Sequence, residues 1–173
     1  MPPRILIIWF TVGFLLSGCG RPADTSVAQH YHGRGITFEY PAPWKIGKEV
    51  AQGVSYLILV EEPGAAIVNF TLFPAEQNHS LEEYTELYLK DLEAELRPNI
   101  FQRTGTDRSP GHIDVRFSLK FGSISLPCTV NVTRHEQGKS TVFCVTQVAD
   151  EDRAGVQAAF DRMRHSLAVD PAP

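Results

Sequence analysis

The stretch Ser80-Leu81-Glu82-Glu83-Tyr84 decides the fold class, because it starts a helix in the middle of a chain otherwise patterned for strands. The Ser80 hydroxyl is placed to accept from the backbone N–H of Glu83 while the Glu83 carboxylate reaches back to Ser80, a capping box. Leu81, Tyr84, Leu87, Tyr88 and Leu92 then recur at helical spacing, and Pro98 stands where a helix must have ended. Glu82 and Glu83 complement the positive end of the helix dipole. The acidic residues here also admit a cation site or an acid/base pair. Alternation with Lys90 and Arg97, and the lack of a Gly-rich calcium loop, favour a solvated face.

On the N-terminal side, Ile36, Phe38 and Tyr40 alternate with polar residues as in a half-buried strand, which Pro41-Ala42-Pro43 stops just before Trp44. Residues 54–60 and 66–73 read as a hairpin around Glu61-Glu62-Pro63-Gly64. On the C-terminal side, residues 101–106, 112–121, 123–133 and 141–148 read as strands. They are separated by Ser109-Pro110-Gly111, Gly122 and Gln137-Gly138. An antiparallel meander is the economical topology. A closing helix over 151–165, with Asp150 as N-cap, puts Val156, Ala159, Phe160, Met163 and Leu167 on one stripe that needs a sheet to cover. The expected fold class is α+β.

The first residues have the three parts of a secretory signal: a charge on Arg4, an apolar run over 5–16, and small residues before Cys19. The run falls short of the roughly twenty residues that span a bilayer. Leu16-Ser17-Gly18-Cys19 resembles the bacterial lipobox. That resemblance implies cleavage between Gly18 and Cys19 and a diacylglycerol on the Cys19 sulfur. Each buried methylene contributes about 0.8 kcal/mol, so two or three chains hold a protein stably where one does not. An ordinary signal or an uncleaved anchor with a chance Cys19 is the alternative. Among bacterial lipoproteins an Asp after the Cys commonly marks inner-membrane retention, and Gly20 stands there instead. The expectation is an outer-membrane anchor facing the periplasm where the host has two membranes.

Sixteen Lys and Arg stand against 20 Asp and Glu, a net charge of −4, and the signs are interspersed. Loss of Arg4 with the leader makes the chain one charge more negative. A nucleic-acid role lacks its electrostatic footprint. The expected organisation is a signal peptide (1–18), a lipidated Cys19 and flexible tether (19–34), one domain (35–169) and a short tail (170–173). The tether reading rests on Gly, Pro, Ser and Thr without apolar periodicity. Within it His30 and His32 project to one side of an extended chain, as a metal pair would. No Cys or carboxylate at ligand spacing accompanies them, and solvated linker histidines are the plainer reading. No metal site and no cofactor is expected.

Cys128 and Cys144 admit a disulfide or two buried apolar thiols. A regular hairpin centred on Gln137-Gly138 puts Cys128 opposite Gln147 and Cys144 opposite Asn131, hence on opposite sheet faces, which disfavours the bridge. Nothing in the spacing links His112 or His135 to either thiol. Neither a Gly-x-Ser-x-Gly elbow nor a phosphate-binding loop is found, and Asn69-Phe70-Thr71 is a glycosylation match without meaning in a bacterial context. No catalytic residue is assigned.

Ile36-Thr37-Phe38-Glu39-Tyr40-Pro41 with Trp44, a hairpin, the Ser80-Leu81-Glu82-Glu83-Tyr84 helix, a four-strand run and a final amphipathic helix resemble the Mog1/PsbP-like superfamily (PsbP/DcrB type) over residues 35–169. The resemblance implies an antiparallel sheet sandwiched between helices, in a group of photosystem-associated lumenal subunits, a nuclear-transport factor and bacterial envelope lipoproteins. Relatives often carry Gly before the Trp. Pro43 stands there in this chain, which excludes a positive φ. Trp44 suits a core anchor or a binding-face aromatic. Helices over both sheet faces would leave no open cleft. The functional expectation is a non-catalytic, lipid-anchored envelope protein that binds or scaffolds a protein partner. The alternative is an envelope lipoprotein that binds a small ligand or metal.

Overall fold

Pairing with a neighbour, as much as apolar alternation, makes strands of this chain. The structure is a computed structural model and describes residues 27–169 apart from 65, 75, 78, 97, 98, 138 and 139. The leader, Gly18, Cys19 and the tail from residue 170 lie outside the described residues, as do Pro98 and Gly138. Strand β1 (Ala28–Gly33) pairs antiparallel with β2 (Ile36–Pro41). Arg34 and Gly35, at φ 57° and 81°, make the two-residue link with the double positive φ of a type I′ turn. Residues 28–33, read from sequence as tether, are therefore part of the fold. Only Tyr31 of β1 is buried, stacked on Phe38 at 4.8 Å, so the strand carries no apolar periodicity to betray it.

Next come β3 (Lys45–Gln52), β4 (Ser55–Glu61) and β5 (Ile67–Pro74), an antiparallel meander. Sequence patterning misses β3, an edge strand whose alternate side chains are only half-buried. Helix α1 (Leu81–Glu95) then carries the chain to the far edge. The capping box forms as expected, Glu83 N–H donating to Ser80 Oγ at 3.1 Å and Ser80 N–H to Glu83 Oε2 at 2.8 Å. Leu87 departs from the expected stripe at 39% exposed, and Leu89 is buried in its place.

Strands β6 (Phe101–Ser109), β7 (His112–Phe121), β8 (Ile124–Gln137) and β9 (Ser140–Ala149) return as a second meander, and β9 pairs with β5. A seven-stranded antiparallel sheet results, in the order β3-β4-β5-β9-β8-β7-β6. Helix α2 (Arg153–Ser166) and the short β10 (Ala168–Val169) finish the domain, and β10 joins the far side of β2 in a three-stranded sheet. Asp150 is not the N-cap of α2. Its carboxylate accepts from Thr129 Oγ1 at 2.7 Å, and Asp152 stands at the cap without a side-chain hydrogen bond.

One face of the large sheet packs Phe117, Val130, Phe143 and Val145 against Tyr84, Tyr88 and Leu92 of α1. The other packs Ile58, Val68, Phe70, Val142 and Cys144 against Val156, Phe160 and Met163 of α2, together with Ile36, Phe38 and Trp44. The expected antiparallel sheet with two helices is present. One helix packs on each face of the large sheet, but the second face is shared between α2 and the three-stranded sheet, and strand predominates. Trp44 is 1% exposed and meets Phe160 edge-on at 5.9 Å, so it is a core anchor.

Candidate functional site

The alternation that buries β5 and β9 on the α2 side turns polar on their neighbours. Cross-strand register places Thr129, Asn131 and Thr133 of β8, and His112, Asp114, Arg116 and Lys120 of β7, on that same face. Residues two apart share a face, so this half of the sheet has no apolar surface for α2 to bury. The helix lies over the apolar half instead. Beside it opens a cleft of about 410 Å³, lined by Pro110, Gly111, His112 and Asp114, by Asn131, Thr133 and Thr146, and by Arg153, Gln157 and Arg164. The expectation that no open cleft remains is thus corrected.

The sequence folds the cleft walls locally for clear reasons. Pro110-Gly111 makes the tight link that brings Ser109 opposite His112, with Gly111 at φ 83°, a conformation side chains rarely adopt. Arg153, Gln157 and Arg164 recur at intervals that bring them within about 40° of one another around a helix. They form a polar stripe alongside the apolar one.

A continuous network crosses the cleft. Arg164 Nη1 donates to Asn131 Oδ1 at 2.9 Å, and Asn131 Nδ2 donates to Asp114 Oδ1 at 2.8 Å. His112 Nε2 lies 3.8 Å from Asp114 Oδ2. Arg164 also pairs with Asp161, which accepts from Gln157 Nε2 at 3.0 Å. Asn131 is 6% exposed, so these bonds act where water competes little. Arg153 is outside the network: its Nη2 is buried with no hydrogen-bond partner. Nearby, Thr133 Oγ1 lies 3.1 Å from His135 Nε2, and burial, with a smaller contribution from the Arg164 charge, lowers the pKa of His135.

The residues singled out from sequence lie elsewhere. Cys128 packs on the α1 side and Cys144 on the α2 side, both buried free thiols. The hairpin register differs by two residues from the expected one, pairing Cys128 with Ala149 and Cys144 with Thr133. Such a step leaves the face of each side chain unchanged, so the thiols point apart as expected. Burial pushes both up to about 12, with acidic neighbours adding to the rise at Cys128, which makes them poor nucleophiles and metal ligands at neutral pH. His30 and His32 do share the outer face of β1, and His30 Nδ1 lies 3.9 Å from Glu39 Oε1. Among the described residues no group of three or more His, Cys, Asp or Glu is placed to hold a metal. Glu82 and Glu83 are exposed, and the Ser80 backbone and hydroxyl hold the Glu83 carboxyl below its ordinary range. Among the described residues no helix is long and apolar enough to cross a membrane.

Sequence reasoning missed Asp114, Asn131, Arg153, Gln157 and Arg164 as a group. A signal was present in the polar stripe of the closing helix, but what it faces depends on the register of β7, β8 and β9.

The chain matches no family model and no curated protein. Its structure is similar to the solution structure of cyanobacterial PsbP (CyanoP) from Synechocystis sp. PCC 6803. The TM-score is 0.53 at 14% identity, over 90% of this chain and 97% of that one. It is also similar to the crystal structure of the Ran-binding protein Mog1p of Saccharomyces cerevisiae, with a TM-score of 0.51 at 12% identity, over 84% of this chain and 96% of that one. At these identities the likeness speaks to architecture: the chain has a Mog1/PsbP-like fold.

Proposed function

We propose that this chain is a non-catalytic cell-envelope protein, anchored through acyl chains on Cys19, whose domain binds or scaffolds another envelope protein. The observation that carries the binding role is the polar half of the large sheet, where the face that carries the cleft also exposes Arg116 and Lys120. The anchor rests on the lipobox resemblance of Leu16-Ser17-Gly18-Cys19, and Gly20 favours the outer membrane, periplasmic side, in a host with two membranes. Mog1p, described as a Ran-binding protein, is an example of this fold in a protein that binds another protein.

The test is made in cells, with a photo-crosslinking side chain at Lys120 or Gln157 and, as control, at Lys90 on α1. Intact mass is measured on the membrane-extracted chain and on Cys19→Ala. The expected result is a chain that starts at Cys19 and carries acyl mass, lost in the variant, with one discrete crosslinked partner from positions 120 and 157 and none from 90. An unmodified chain removes the anchor, and no crosslink from either position on that face removes the partner. A second reading, a small-ligand binder, is favoured by the size of the cleft, which falls in the range of ligand sites.

A further inference from the structure

The cleft has an uneven charge pattern. Asp114 is satisfied by Asn131 and faces His112, and Arg164 is held by Asn131 and Asp161. Arg153 has no ion pair among the described residues, and its Nη2 is buried without an acceptor. Nearly all buried polar groups in folded proteins find a partner, and a buried guanidinium nitrogen left without one marks a place where an acceptor belongs. Arg153 also occupies the first turn of α2, a 14-residue helix whose Asp152 cap leaves the first N–H groups without a side-chain acceptor. The field of the helix terminus there favours negative charge.

We propose that the cleft between α2 and strands β7–β9 binds the oxyanion group of a small polar molecule, a carboxylate or a phosphate, with Arg153 as its counter-charge. Guanidinium forks match the planar oxygens of carboxylate and phosphate, and charge-assisted bonds to them are roughly twice as strong as neutral ones. Gln157 stands one turn along the same stripe, and the second N–H of its amide, beside the one given to Asp161, supplies a neutral donor. Asp114 on the opposite wall repels a second acidic group and accepts from a hydroxyl or amine, so the ligand is acidic at one end and a donor at the other. The inference rests on the reading of this chain as a binding module. Its test reads the cleft alone, so the mass of Cys19 and the cellular crosslinks can fail without it, and it without them.

The experiment titrates the full chain in detergent with inorganic phosphate, with acetate and, at matched ionic strength, with chloride, following backbone amides by heteronuclear NMR. The expected result is a saturable shift of the Gly111, His112 and Gln157 amides with phosphate or acetate and none with chloride; whichever anion saturates identifies the oxyanion. Arg153→Gln weakens that binding about tenfold or more, Arg153→Lys retains part of it, and Arg103→Gln, which removes an equal charge on β6, leaves it unchanged. The unfolding midpoint of Arg153→Gln is measured alongside, so that a loss of binding is read on a folded variant. Absence of a saturable shift with both oxyanions overturns the proposal, as does equal binding by Arg153→Gln.

Discussion

Arg164 of α2 donates to the side-chain carbonyl of Asn131 of β8 at 2.9 Å, across a sequence separation of 33 residues. This bond ties the edge of the closing helix to the polar half of the sheet, where no apolar contact is available to do so. The cleft stays open because the two elements meet there through a bridge of hydrogen bonds.

Asn131→Ala is expected to cost about 1–3 kcal/mol, since it leaves the facing groups of Asp114 and Arg164 without a largely buried partner. Urea unfolding at neutral pH measures it. A loss below a few tenths would mean that water takes over both bonds.

Ser80→Ala is expected to cost about 1 kcal/mol through loss of the cap. The reciprocal bond holds the Glu83 carboxyl below the ordinary value of 4.5, so its contribution is present above that pH and is lost as acidification passes the lowered folded value. Ser80→Ala keeps the backbone donor and removes the hydroxyl's smaller share, so the gap to the parent should narrow in part as pH falls below 4.5, read from thermal midpoints across pH 7 to pH 3.

Cys128 and Cys144 should resist alkylation in the native state and react together on unfolding, as followed by mass after iodoacetamide pulses. Their folded values, pushed up to about 12, lie above the ordinary 9, so the unfolded chain ionises first. Stability should fall as pH rises past 9, and the buried Tyr84 and Tyr88, also raised by burial, extend the loss above 10.

Phe160→Ala is expected to cost about 3–5 kcal/mol, because the ring fills the space between α2 and Trp44 and leaves a cavity. Leu87→Ala, on the exposed side of α1, should change stability by no more than about 0.5 kcal/mol. Guanidinium unfolding of both variants separates the stripe drawn from spacing from the one the sheet selects.

Local signals were legible from the residues themselves. The capping box at Ser80 needs only neighbours three apart, and the Val156, Ala159, Phe160 and Met163 stripe needs only the helical period. The opposite faces of Cys128 and Cys144 need only the parity of a hairpin, which is why that conclusion survives a two-residue change of register. Strand β1 was illegible because its stability comes from backbone pairing with β2 and a single buried ring, neither of which leaves a pattern.

By itself, then, the sequence determined the antiparallel α+β class, the two helices, the Ser80 cap of the first and the apolar stripe of the second, and the lipobox pattern that motivates the proposed anchor, because each depends on short-range periodicity or a short motif. The tertiary structure alone decided that β9 pairs with β5 and that β1, β2 and β10 form a second sheet. It also placed α2 over the apolar half of the large sheet so that Arg153, Asn131 and Asp114 share a cleft. Those residues are brought together by strand register and helix placement, which are set by the burial of the whole core at once and leave no local mark on the chain.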